Sequence, residues 1–396
     1  RLCRAELGAA CVDVRRAEVL VKGAASSGYL HQCGDSYGEW RRIRTQPAGR
    51  MPPGRGRGRA WILYVSPLAM SNLWHLLHIL LPALHAEHDF DELLIDGLHH
   101  ADGGAEWAEW SWQKLRSSFA WPFLQSLAGP KELVLLGAGG GSDEAPWRCY
   151  ERVDWGYEAV ALFGRHKGHL STSSIRRAVQ QLERSSSFGG PVEPSVPRTP
   201  RLLLIERPPP ARRAVVNGEA LRDLLRSSSW CKHLMSEWAD FAEEPLRSDV
   251  RGQWKLASQA NILMGAHGAG LAWSAFMHAG SILVELLPFL HVLHDQLCRV
   301  GDGEDGAAWD STPMYAYGGL ALLTGLHHVC ILGLPMPGQQ SGSLGHDLAT
   351  WWSSDIYVDT AAVNRTLVRA LNRLSRSRTD RKAARRVRVF PGFAGA

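Results

Sequence analysis

The chain has 396 residues, 45% of them apolar and 21% charged, which is enough for about two domains with cores of their own. With 40 Gly and 21 Pro near ordinary usage, this balance excludes a wholly disordered or collagen-like polymer. The net charge of +5 hides a split: residues 364–390 hold ten Arg or Lys against one Asp, so the rest is net negative and does not read as a nucleic-acid-binding body.

Residues 1–58 read as an irregular, flexible lead-in that closes on the Gly/Pro/Arg segment GRMPPGRGRGRA. An N-terminal domain is expected over 59–185. Its strand WILYVS leads to a helix that opens near Ser71 or Asn72, where Leu and Ile recur at three- and four-residue spacing. A strand (FDELLI), an aromatic helical stretch (EWAEWSWQKLRSSFAWPFLQSL) and a strand (KELVLLG) follow. Such alternation favours a parallel sheet with helices on both faces. Ser, Gly and Pro crowd residues 186–200, which read as a linker.

The pattern restarts over 201–376. Strand RLLLIE, helix GEALRDLLRS, a long helical segment near PLRSDVRGQWKLASQ, strand NILMGA, a helix after HGAG, strand SILVELLP, helix GGLALLTGL and strand HHVCIL describe a second Rossmann-like unit. TAAVNRTLVRALNRL is the last helix, and 377–396 read as a solvated basic tail.

No stretch reaches the roughly 18 apolar residues of a membrane-spanning helix, and LWHLLHILLPAL carries two histidines. Because the chain opens on Arg1, an upstream anchor with an attendant membrane association is compatible with it. Seven cysteines without a CxxC pair leave the redox compartment open, and the triplet Asn364-Arg365-Thr366 is compatible with glycosylation in a secretory lumen.

The segment Asn261–Pro288 carries the most chemistry. An apolar strand runs into Gly265, Ala266, His267, Gly268, Ala269 and Gly270, and a helix is expected to start there. Small side chains let a ligand approach the backbone, and unpaired first-turn N–H groups attract phosphate. His267 adds a donor to the same anion, with charge when protonated. Glu285, inside the apolar strand SILVELL, needs a partner to offset its desolvation; a ribose diol and a nearby cation both qualify. An ordinary crossover with His267 as a satisfied core histidine fits the same spacing. LLGAGGGS leads into SDEAPW rather than a helix and falls short of a dinucleotide loop. Four histidines between 75 and 88 lack the further ligands of a zinc site.

HGAGL followed by ILVEL resembles the signature of glycosyltransferase family 61, which includes lumenal O-linked N-acetylglucosamine transferases of animals and xylosyl- and arabinosyltransferases of plants. SNLWH, WRCYERVDWG, RLLLIERPPPARRAVVNGEAL, YGGLALLTGLHHVCI and IYVDTAAVNRTLVRAL resemble further family segments in the same order, over about residues 60 to 375. Glu206 beside Arg207 and the rigid PPPA loop depart from the pattern.

The resemblance implies an α/β, GT-B-like fold, two Rossmann-like domains facing across a cleft, and an inverting transferase of the secretory lumen, Golgi or endoplasmic reticulum. Its partners would be a UDP-sugar donor and a glycan or glycoprotein acceptor. No cofactor is required and a divalent metal is compatible but not indicated. It also implies roles. Arg207, Arg213, His267 and the backbone at Gly268, Ala269 and Gly270 would stabilise the departing diphosphate; Asn217 would orient the loop or donor and Glu285 would hold the ribose. The base would come from the N-terminal domain, with His75, Asp96 and Asp102 as candidates. A catalytically inactive relative that binds a glycan or partner is the alternative.

Overall fold

A computed structural model describes residues 4–13, 18–22, 28–33, 40–48, 52, 56–65, 72–85, 90–96, 116–136, 147–156, 172–184, 200–206, 213–227, 235–240, 250–289, 307–309, 316–337 and 354–387. Two compact units result. The first comprises Arg1–Leu162, His166–Val192 and Leu246–Arg251, and the second Phe163–Arg165, Glu193–Pro245 and Gly252–Ala396.

The sheet of the first unit has a parallel half and a mixed, mostly antiparallel half. Strands β6 (Gly56–Tyr64), β7 (Glu92–Asp96), β8 (Glu132–Leu136) and β9 (Trp147–Gly156) are parallel in the order β9-β6-β7-β8, the crossover order of a doubly wound sheet. Helices α1 (Leu73–His85), α2 (Trp121–Ala128) and α3 (Thr172–Arg184) pack on one another beside it. Asn72 stands just before α1, and its carbonyl accepts the Leu76 N–H at 3.1 Å. The helix therefore opens where the spacing of its apolar residues indicates.

Residues 1–58 are not an irregular lead-in. They carry β1 (Arg4–Leu7), β2 (Ala10–Asp13), β3 (Glu18–Lys22), β4 (Gly28–Cys33), β5 (Trp40–Ala48) and the start of β6. Both β1 and β2 pair antiparallel with β9, and the row continues through β3 and β5 to β4. The reason these strands escape a periodicity reading is their length of four to six residues in β1 to β4, and for β1 and β2 a pairing partner more than a hundred residues away. Ala10, Val12 and Val19 join Ile62, Leu94 and Val153 in one core, and a Cys11–Cys149 disulfide ties β2 to β9. At the start of the parallel strands, buried Glu92 accepts from Arg148 at 2.9 Å and from the Tyr150 hydroxyl at 2.8 Å. Burial works against the Arg148 charge, and bonds to Glu132 and Glu92 outweigh it and raise its pKa.

The second unit is a six-stranded sheet in the order β11-β10-β12-β13-β15-β14. Its strands are β10 (Arg201–Glu206), β11 (Met235–Asp240), β12 (Ile262–Ala266), β13 (Ile282–Leu287), β14 (Ala307–Trp309) and β15 (His327–Leu332). All pairings are parallel except that of β14, an antiparallel edge. The first strand of this unit, β10, lies between the second and third, so the chain changes direction across the sheet between β10 and β12. Every residue of β12 and β13 is buried, as expected of parallel strands covered on both faces. Met264, Val284 and Val329 pack with Leu221 and Leu225 of α4 (Gly218–Ser227) and with Val363 and Leu367 of the last helix. Both α5 (Val250–Gln259) and α6 (Ala316–Thr324) complete the set of helices.

Three elements differ from the sequence expectation. Strand β11 lies where none was expected, because MSEWAD mixes charge into an edge strand, and α5 is the described part of the helix expected near PLRSDVRGQWKLASQ. A 3₁₀ helix (Ala269–Phe276), rather than an α-helix, follows HG. The basic tail is not wholly unstructured. Helix α7 runs from Thr360 to Val387, because Arg, Lys and Ala sustain a helix once one has been nucleated. Asp359 caps it, its carboxylate accepting the N–H groups of Ala361 at 2.9 Å and Ala362 at 3.1 Å. No helix among the described residues is long and apolar enough to cross a membrane.

Candidate functional site

In a doubly wound sheet, ligands bind beyond the carboxyl ends of the strands where the winding reverses. Here that point lies between the ends of β10 and β12, and His267 is the first residue past β12. Its main chain is held on two sides. The N–H donates to the Leu286 carbonyl at 2.9 Å, and the carbonyl accepts from Arg213 Nη1 at 2.9 Å. Arg213 itself has φ 63°, a left-handed conformation that costs a non-glycine residue about 1–2 kcal/mol. The loop after β10 is thus bonded to the turn after β12 through a strained arginine.

His267 is 7% exposed, and its Nδ1 bonds Glu285 Oε1. The other oxygen of Glu285 bonds His328 Nε2 at 2.8 Å. Glu285 is 3% exposed. Burial alone would raise its pKa, but the hydrogen bonds and charges of His267 and His328 reverse the shift and bring it to about 2. The Tyr317 ring on α6 meets the His267 ring edge-on, with centroids 5.2 Å apart.

The partner that offsets the desolvation of Glu285 within the chain is therefore a pair of imidazoles, and both of its oxygens already accept a hydrogen bond. His328 went unnoticed in the sequence although the signal was of the same kind, a polar residue inside a buried parallel strand. The small side chains of the turn divide in purpose. Gly268, with φ 157° and ψ 174°, occupies a region open essentially to glycine alone. Ala269 and Gly270 are half-buried at the head of the 3₁₀ helix. Gly265 instead serves packing: a Cβ there would lie 3.1 Å from both Cβ and O of Ile205 and 3.3 Å from Leu271 Cδ2. Gly265→Ala is expected to lose about 1–2 kcal/mol in a urea titration, because a backbone carbonyl has little room to yield.

Asn217 makes a two-sided clamp on the main chain, its Nδ2 donating to the Val358 carbonyl at 2.8 Å and its Oδ1 accepting the Val358 N–H at 2.9 Å. It fixes the segment that enters α7. On the other unit, His75 is 4% exposed on α1 and Asp96 is the last residue of β7. Arg207, Asp102 and the GAGGGS loop lie outside the described residues. The chain's own geometry thus brings Arg213, His267, Gly268, Ala269, Gly270 and Glu285 to one point of one sheet.

A family model described as glycosyltransferase 61 matches residues 73–284, more than half of the chain. The chain belongs to glycosyltransferase family 61. No curated protein matches it. The family match runs from α1 through the 3₁₀ helix to Val284 in β13. It includes Arg213 and His267 and ends one residue before Glu285, so the other two members of this family 61 chain's histidine–carboxylate unit, Glu285 in the same β13 and His328 in β15, lie beyond the matched span. Strands β1 to β5 also lie outside it.

Proposed function

We propose that the chain is an inverting glycosyltransferase moving a xylose, arabinose or N-acetylglucosamine type of sugar from a UDP-sugar to a hydroxyl of a glycan or glycoprotein. The observation that carries this reading is His267, backed by Glu285 and braced by Arg213, at the carboxyl-end reversal point of the second sheet. In the reaction the acceptor oxygen attacks the anomeric carbon, the bond from that carbon to the diphosphate breaks, and its electron pair leaves with the diphosphate. Hydrogen-bond donors fixed in a partly enclosed turn stabilise charge that develops there. Arg213, and Arg207 six positions before it in the sequence, offer guanidinium forks suited to phosphate.

The acceptor proton passes to a base. Asp96 is the preferred candidate, since it ends a parallel strand, where such sheets present functional groups. His75 sits buried in α1 and Asp102 remains a candidate on sequence grounds. A secretory lumen suits the chain, because Cys11–Cys149 and a second disulfide at Cys330 call for an oxidising compartment.

The test is thermal unfolding with UDP and a panel of UDP-sugars, followed by donor hydrolysis. UDP at a hundredfold excess over its Kd is expected to add about 2.7 kcal/mol of stability. An absence of any shift with UDP and every UDP-sugar overturns the reading. Stabilisation by a glycan alone, without turnover, would instead mark a catalytically inactive, glycan-binding relative.

A further inference from the structure

His328 has no role in the account so far, yet it holds half of the carboxylate at the centre of the site. Glu285 bonds His267 and His328 through its two oxygens, and all three side chains are buried. A carboxylate this deep requires a balancing cation. Either imidazole could carry it, and the second ring nitrogens decide which one does.

Nδ1 of His328 is buried and meets no hydrogen-bond partner. A doubly protonated His328 would bury a charged N–H without an acceptor, whereas the neutral ring with its proton on Nε2 leaves only a lone pair bare. We infer that His267, Glu285 and His328 act as one buried unit, in which His328 remains neutral and positions the carboxylate while the balancing positive charge resides on His267.

The neighbouring groups agree with this assignment or oppose it weakly. Tyr317 presents its ring to His267 from α6. Cys330, opposite Glu285 in strand register, is disulfide-bonded and does not titrate. Arg213 is a nearby cation that disfavours charge on His267, but its guanidinium is bound to the main-chain carbonyl rather than the ring. With Nδ1–H committed to Glu285, the remaining donor of the His267 imidazolium is Nε2–H. A charged N–H suits a diphosphate oxygen, whereas the neutral ring would present a lone pair to it. His328 is then a positioning residue, acting on the anion through Glu285 and His267; this role rests on the nucleotide-sugar reading of the same site.

The experiment is nitrogen NMR of the full chain labelled at its histidine rings, with signals assigned through the His267→Asn and His328→Asn variants. At pH 7 both nitrogens of His267 are expected in the protonated range, while His328 shows a protonated Nε2 and a bare Nδ1. His267 is expected to keep its second proton above the value of about 6.5 typical of free histidine. In Glu285→Gln, which keeps an acceptor oxygen but loses the charge, the midpoint of His267 falls to that value or lower. A neutral His267 at pH 7, or a protonated Nδ1 on His328, overturns the inference. Should Glu285→Gln fail to fold, the spectrum of the unaltered chain decides alone. Titration with UDP separates the two readings. Loss of UDP binding with these spectra intact counts against the nucleotide-sugar function, and UDP binding to a chain with neutral His267 counts against the charge assignment.

Discussion

Glu285→Ala is expected to cost about 3–5 kcal/mol of unfolding free energy, because it strands two buried imidazoles that now share one acceptor. The same group sets an acid limit. Its carboxyl titrates near 2 in the folded chain, below the ordinary 4.5, so the folded state favours the ionised form. Its stabilisation is fully present above about pH 4.5 and is lost as the pH falls from there through 2. Urea midpoints measured at pH 6, 4 and 3 check this. The unaltered chain should lose stability across the window relative to Glu285→Gln, whose difference from it should shrink with acidification. Equal slopes for the two would show that the carboxylate is not held ionised by its histidines.

How much of this was legible beforehand depends on the distance over which each element finds its partner. RLLLIE, NILMGA and SILVELL announce themselves as buried parallel strands because a continuous apolar run bounded by turn residues has few other uses. The turn at His267 was visible for the same reason. What periodicity could not convey is pairing. The four residues ACVD become a strand only beside β9, and nothing local in them specifies a partner 138 residues away. Likewise Glu285 was recognisable as a costly carboxylate, but its neighbour on the sheet was not. Parallel register places His328 beside Leu283 on the next strand, two residues along from the Cys330 that faces Glu285. Only the crossover through α6 puts that histidine within reach. Gly265 shows the converse: its small size suggested room for a ligand, and the register with Ile205 uses it for close packing of two strands.

The second large effect concerns turnover. His267→Asn is expected to lower kcat for sugar transfer by about 10²–10³, the loss found when one preorganised donor to a developing oxyanion is removed. The main-chain bonds of residue 267 to Leu286 and Arg213 do not involve its side chain, so the turn should persist. Because Glu285 would lose one of its partners, the assay belongs well below the variant's melting temperature. Arg213→Gly supplies the contrast. Glycine relieves the left-handed strain at φ 63°, which offsets the lost bond to the His267 carbonyl, so stability should change by less than about 1 kcal/mol. Activity should nonetheless fall, since the guanidinium is gone from the mouth of the sheet. If Arg213→Gly transfers sugar as well as the parent chain does, the arginine is only a brace. If His267→Asn does so too, the reversal point between β10 and β12 is not where the diphosphate departs.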